Sequence, residues 1–277
     1  MDRTLWPAVA LLLALFGLFE ITGLDLWVQD HCYNFSTAAW LVDARAPVPR
    51  LLFYTGPKTL IWILAICLLM LACAPARWRS RLPGRSLARR DLWIVIATLA
   101  TAPSLIATCK ATTNVFTPDA IRRYGGFAPY VRVLQSYPEN DRPARRGRGF
   151  PAGHASGGFA LMALAGLART RCGRLTGLAI GLGLGSLMGV YQMLKGAHYL
   201  SHTLIAALFC WIVFLACRRL LRATSPASVD PKQPEGTSYQ TGKDFRPGRD
   251  QESISPSSRP RHHAILTACP ANRSARA

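Results

Sequence analysis

Acidic residues are scarce in this chain: 14 Asp plus Glu stand against 33 Lys plus Arg, a formal charge of +19 over 277 residues. That imbalance leaves mostly cationic chemistry and points to anionic partners. Charge of either sign is also thin, at 17% of residues, and the apolar residues fall in long runs, which argues against a soluble nucleic-acid binder with a basic face. None of the eight cysteines, at 32, 67, 73, 109, 172, 210, 217 and 269, forms a CxxC pair, so neither a zinc ribbon nor a disulfide framework is expected. There is no internal repeat. What the chain has in excess is apolar material. Half of its residues are hydrophobic and its mean hydropathy is +0.17, too oily for an ordinary soluble enzyme. A membrane protein is therefore expected.

A helix needs about 20 apolar residues to cross a bilayer. Six windows qualify: Trp6 to Trp27, interrupted by Glu20 and Asp25; Thr59 to Ala76; Leu92 to Cys109; Pro151 to Ala168; the glycine-rich Leu175 to Leu194; and Tyr199 to Cys217. The first suits a retained anchor better than a cleaved signal. In the fifth, Gly177, Gly181, Gly183, Gly185 and Gly189 permit close helix contact. The expected fold is an all-α integral membrane bundle of six transmembrane helices with a disordered C-terminal tail. Residues 1–90 would form anchor helices and a basic cytoplasmic loop, 91–222 the membrane core, and 223–277 a tail too rich in Ser, Pro, Gly and Arg to bury a core.

Basic residues near span ends resist translocation. By parity one side holds Arg77, Arg79, Arg81, Arg85, Arg89 and Arg90, then Arg169, Arg171 and Arg174, then Arg218, Arg219 and Arg222. The other side holds Arg45, Arg50, Lys58 and Lys195, and a long loop from Lys110 to Arg148 that is set aside as a phosphate binder. The dense short loops then place both termini in the cytoplasm and the long loop outside.

Polar residues at membrane depth are costly, so they are functional candidates. Three clusters stand out: KATTNVFTPDAIRRYGG from Lys110, RGRGFPAGHASGGFA around His154, and YQMLKGAHYLSHTL around His198 and His202. With six spans, all three emerge on one side. Singly, each has a plainer reading: Lys110 as an interfacial anchor, His198 and His202 as a metal pair or an interhelical hydrogen bond. Together they read as a phosphate site. Lys110 supplies a fixed cation, with Arg148, Arg123 and Lys195 near in sequence, and the Gly153 to Gly158 helix start offers backbone amides to an anion. Two histidines titrating near neutrality can divide the work between nucleophile and proton donor. Asp119 is the only acid in the clusters, so a two-metal centre is not expected and no cofactor is called for.

These clusters resemble the type-2 phosphatidic acid phosphatase family, related to the vanadium-dependent haloperoxidases, over about Leu92 to Leu204. That family carries Lys-x6-Arg-Pro, Pro-Ser-Gly-His and Ser-Arg-x5-His-x3-Asp. Here Lys110 and Pro118 match the first motif, with Thr117 at the Arg position; Pro151, Gly153 and His154 match the second, with Ala152 for Ser. His198 matches the third, with Tyr191 and Gln192 at the Ser and Arg positions and His202 at the Asp position. The resemblance implies that His198 attacks phosphorus to form a phosphohistidine, that His154 protonates the leaving oxygen, and that His202 orients His198 without adding negative charge. Lys110, Gly153, Gln192, Arg123, Arg148 and Lys195 would bind the substrate. It further implies a bacterial inner-membrane, multi-pass, metal-independent lipid phosphatase with its site facing the periplasm or exterior. Its partners would be a phosphorylated lipid and the bilayer, with no nucleic acid. Phosphatidate, phosphatidylglycerol phosphate, a polyprenyl diphosphate and a lipid A phosphate stay open as substrates, and so does the oligomeric state. The competing expectation, drawn from Thr117, Gln192 and His202, is a catalytically weak or silent lipid-phosphate binder. A transporter would need paired half-helices in its two halves, and the sequence has no such pair.

Overall fold

A computed structural model describes residues 4–79 and 88–223. Arg81, Arg85 and the tail beyond Ala223, expected to be disordered, lie outside the described residues. The described chain is helical apart from a two-stranded hairpin pairing Tyr33–Asn34 with Ala39–Trp40. Helix α1 (Leu5–Ile21) breaks at Thr22 and Gly23, and α2 (Leu24–Asp30) leaves it at 72°. The longer helices are α3 (Gly56–Cys73), which continues a start from Pro47 that widens to a π-helical turn at Leu51–Thr55, α4 (Arg89–Thr112), α6 (Arg171–Leu194) and α7 (Leu200–Ala223). Between α4 and α6 lies α5 (Gly153–Ala160), followed by a 3-10 segment, Leu161–Leu167.

Among the described residues, four helices are long and apolar enough to cross a membrane, or five if the bent α1–α2 pair counts as one span. The six expected from hydropathy are thus reduced. The window from Pro151 to Ala168 became eight α-helical and seven 3-10 residues, reaching only about 26 Å by their rises against a hydrocarbon core of about 30 Å. Its composition explains the change: Gly153, Gly157, Gly158 and Gly166 are poor helix formers. The segment is held by its neighbours instead. Ala155, Phe159, Ala160 and Met162 pack against Ala102 and Ile106 of α4 and against Ala206 and Cys210 of α7.

Glycine allows the closest of these contacts. A Cβ on Gly177 or Gly181 would lie 2.5 or 2.2 Å from the backbone nitrogen of Ala165 or Met162, and one on Gly185 would lie 2.2 Å from the Phe159 ring. Spaced four apart, these glycines make one flat stripe on α6 against the segment behind it.

The loop between α4 and α5 folds back so that the end of one helix meets the start of the other. Thr113 Oγ1 donates to the Phe150 carbonyl at 2.6 Å, Gly149 N–H to the Val115 carbonyl at 2.6 Å, and Gly147 N–H to Asn114 Oδ1 at 2.8 Å. Lys110 and His154 therefore open from the same end of the bundle.

Candidate active site

The turn between α6 and α7 carries His198, and local backbone chemistry shapes it. Gly196, at φ +77°, ends α6 with the paired bonds of a Schellman motif: Ala197 N–H to the Gln192 carbonyl at 2.8 Å and Gly196 N–H to the Met193 carbonyl at 3.0 Å. A Cβ there would also strike the Trp40 ring at 2.3 Å. The chain leaves this cap toward α7 with His198 in the turn and His202 one helical turn later. Ala152 N–H donates to the His202 carbonyl at 3.1 Å, fastening the start of α5 to the start of α7.

Three imidazoles line up as a result. His154 Nδ1 and His198 Nε2 stand 3.3 Å apart, and His198 Nδ1 and His202 Nδ1 stand 3.4 Å apart. His198 and His202 are 1% and 2% exposed. The backbone of Gly149 favours a proton on either ring, against the stronger effect of burial. Burial above all, then the neighbouring His202, Lys110 and His154, push the His198 imidazole well below its usual value of 6.5. The ring is neutral at pH 7, which keeps a lone pair available for attack.

Three lysines surround the pair. The charges of Lys110, Lys195 and Lys58 all fall on the His154 ring. Lys195 lies 5.0 Å from the Tyr191 ring centre and 5.8 Å from that of Tyr54, which also takes Lys58 at 5.8 Å and meets His154 edge-on at 5.1 Å. Tyr54 and Lys58 were not among the residues expected at the site. Parity had put Lys58 on the same side as Lys110, and that was the only signal the sequence offered.

Other expected ligands are placed differently. The Arg123 guanidinium holds both oxygens of Asp30, Nε to Oδ1 at 2.8 Å and Nη2 to Oδ2 at 2.7 Å, so its charge is neutralised at the end of α2. Arg148 is exposed beside Gly149. Gln192 is buried, and its Oε1 has no hydrogen-bond partner. Gly153 opens α5 beside His154, and with it borders a cavity of about 310 Å³. That cavity runs down between α3 and α4 along Ile61, Trp62, Ala65, Leu99 and Pro103, with Lys58 at its edge. A polar head thus meets an apolar channel. Among the described residues, no three His, Cys, Asp or Glu side chains are grouped to hold a metal ion.

The stretch holding the histidines, residues 91–225, matches the sequence profile of the PAP2 superfamily. Residues 91–225 belong to the PAP2 superfamily. The PAP2 segment thus contains Lys110, His154, His198 and His202, whereas Tyr54 and Lys58 reach the site from outside it. No curated protein sequence matches the chain significantly. A crystal structure of a transmembrane PAP2-type phosphatidylglycerolphosphate phosphatase from Bacillus subtilis is similar at 15% identity and a TM-score of 0.49, over 80% of this chain and 97% of that one. With its long apolar helices, the chain is a multi-pass membrane protein.

Proposed function

We propose that the chain is a phosphatase that hydrolyses a lipid phosphate or lipid diphosphate through a phosphohistidine on His198. The observation that carries this reading is the His154–His198 pair at 3.3 Å, ringed by lysines at the head of an apolar cavity. In-line transfer needs phosphorus between the two ring nitrogens, so their contact opens as the headgroup enters. Lys110, Lys195 and Lys58 hold the phosphoryl oxygens and the charge that builds on them. His154, pushed down to about 4 in the empty site by burial and the three lysines, takes up a proton beside the bound phosphate dianion. His198 Nε2 then attacks phosphorus as the bond to the leaving oxygen breaks, and His154 donates that proton to the oxygen. Water, deprotonated by the now neutral His154, then attacks the phosphohistidine and releases phosphate. The cavity takes the lipid's apolar chain. Catalysis is assigned to residues 91–222, with 1–90 as the anchor that also lends Tyr54 and Lys58.

Orientation follows from the opposite end of the bundle, where Arg222 pairs with Asp91 at 3.6 Å beside Arg89, Arg90 and Arg219. That arginine-rich end faces the cytoplasm and the histidines face the exterior or periplasm. A second reading, a lipid-phosphate binder without turnover, is favoured by one feature: the group beside His198 Nδ1 is an imidazole and not a carboxylate.

Phosphate release in detergent from the four lipid phosphates named above, by the unaltered chain, His198→Ala and His154→Ala, tests both. The phosphatase reading expects release by the unaltered chain and losses of about 10²-fold or more in each variant. Equal release by all three defeats it, and binding without release supports the second reading.

A further inference from the structure

A nucleophilic imidazole becomes positive as it bonds to phosphorus, and a negative group behind it stabilises that charge. Among the described residues no carboxylate hydrogen-bonds to His198, but two lie one step further away. Behind His202 is a small cavity of about 20 Å³, bordered by His202, Ser201, Tyr199 and Arg132, and by Glu20 and Asp25 from the N-terminal helices. Sequence alone marks Glu20 and Asp25 only as interruptions of an apolar run.

Both acids are held in place. Asp25, 7% exposed, accepts the Ser201 N–H at 2.9 Å and the Ser201 hydroxyl through its other oxygen. Glu20 accepts the N–H groups of Val133 at 2.9 Å and Leu134 at 3.4 Å. Gln29, one helical turn beyond Asp25 on α2, donates to the Met193 carbonyl at 2.8 Å. The bent α1–α2 arm thus grips the histidine-bearing turn on both sides.

Two polar atoms on the cavity wall have no hydrogen-bond partner. Tyr199 Oη, on a side chain 1% exposed, is one, and Arg132 Nε is the other. Buried polar groups are nearly always satisfied, and a cavity of this size admits one water molecule when several polar partners surround it. The six polar side chains named on the wall supply such partners.

We infer that this cavity is a water site linking His202 to the Asp25 and Glu20 carboxylates, and that Asp25 is a positioning residue for His198. His202 Nδ1 faces His198 at 3.4 Å, and its other nitrogen donates through the water to the carboxylate. As His198 attacks, its Nδ1–H is shared with His202, whose own N–H leans on the bridged carboxylate. The positive charge spreads along the row without a net proton leaving it. The negative group missing at position 202 is then supplied by the N-terminal arm.

This rests on the phosphatase reading, and a double-mutant cycle separates the two. Turnover of dioleoyl phosphatidate, or of whichever of the four lipids is hydrolysed fastest, is measured for the unaltered chain, Asp25→Asn, His202→Asp and the double variant. Asp25→Asn keeps the shape and one acceptor for Ser201 but loses the charge. It is expected to lower kcat about tenfold, within the coupling seen in one polar network, and to leave KM within about twofold. His202→Asp puts a carboxylate directly beside His198, so adding Asp25→Asn to it is expected to change kcat by less than about twofold. Equal losses in both backgrounds, or a loss confined to KM, overturn the relay and leave the phosphatase standing. If His202→Asp does not fold, His202→Asn takes its place. The link is then already cut, and adding Asp25→Asn is expected to cost nothing further, while multiplied losses overturn the proposal. No turnover by the unaltered chain defeats both readings.

Discussion

His198 illustrates how surroundings set the chemistry of a single residue. An exposed imidazole would be part protonated near 6.5, and a protonated one is no nucleophile. Its burial, with His202, Lys110 and His154 beside it, pushes the ring well below that value. Two outcomes follow. The acid limb of kcat/KM that His198 sets is expected below pH 6.5, as a pH–rate profile in detergent would read. Stability moves the same way. The unfolded chain takes up a proton near 6.5 that the folded chain refuses, so His198's contribution is complete above 6.5 and declines as pH falls through it. Melting midpoints that hold constant down to about pH 5 would contradict this. At this scale the sequence named the histidines, because membrane-edge imidazoles are too costly to place idly. It had no means to find Lys58, whose lysine looks like any interfacial anchor until Tyr54 and His154 are seen beside it. It also offered Arg123 as a phosphate ligand, and only the folded chain brings Asp30 to it.

Within the elements, the stripe on α6 decides how closely α5 can sit. A methyl group at Gly181 would meet the backbone of Met162 at 2.2 Å, whereas one at Gly183 finds nothing within 4 Å. Gly181→Ala is expected to destabilise the protein by about 1–3 kcal/mol, the usual cost of overpacking. Gly183→Ala should be neutral or slightly stabilising. Thermal melting of both in detergent is the check, and equal effects would refute the close contact. The cavity between α3 and α4 makes a second test. Ala65→Phe narrows it below the headgroup, so kcat/KM for a long-chain lipid phosphate should fall about tenfold, the worth of about two buried methylenes. Hydrolysis of water-soluble p-nitrophenyl phosphate by the same variant should hardly change. Hydropathy located these helices well, since twenty apolar residues read the same in any context. It failed on α5, where a glycine-rich window of the right length and oiliness becomes a short helix and a 3-10 turn held by its neighbours.

Across the whole molecule, the histidines gather at one end, and the arginines around the Arg222–Asp91 pair at the other. A membrane-impermeant thiol reagent added to intact cells should label Leu134→Cys, in the exposed loop, above the background of the unaltered chain, and should not label Arg219→Cys. The reverse pattern would invert the protein. The sequence by itself determined that the chain is helical and membrane-bound, and that Lys110, His154 and His198 share a side. Apolar run length, and the cost of polar groups inside the runs, are local properties that no partner helix alters. Only the tertiary structure decided which cations reach the histidines, how the bent N-terminal arm holds their turn, and that Asp25 and Glu20 lie behind His202. Those relations join residues distant in the chain, 176 positions for Asp25 and Ser201, and nothing in the order of the chain encodes such a distance until packing and hydrogen bonding close it.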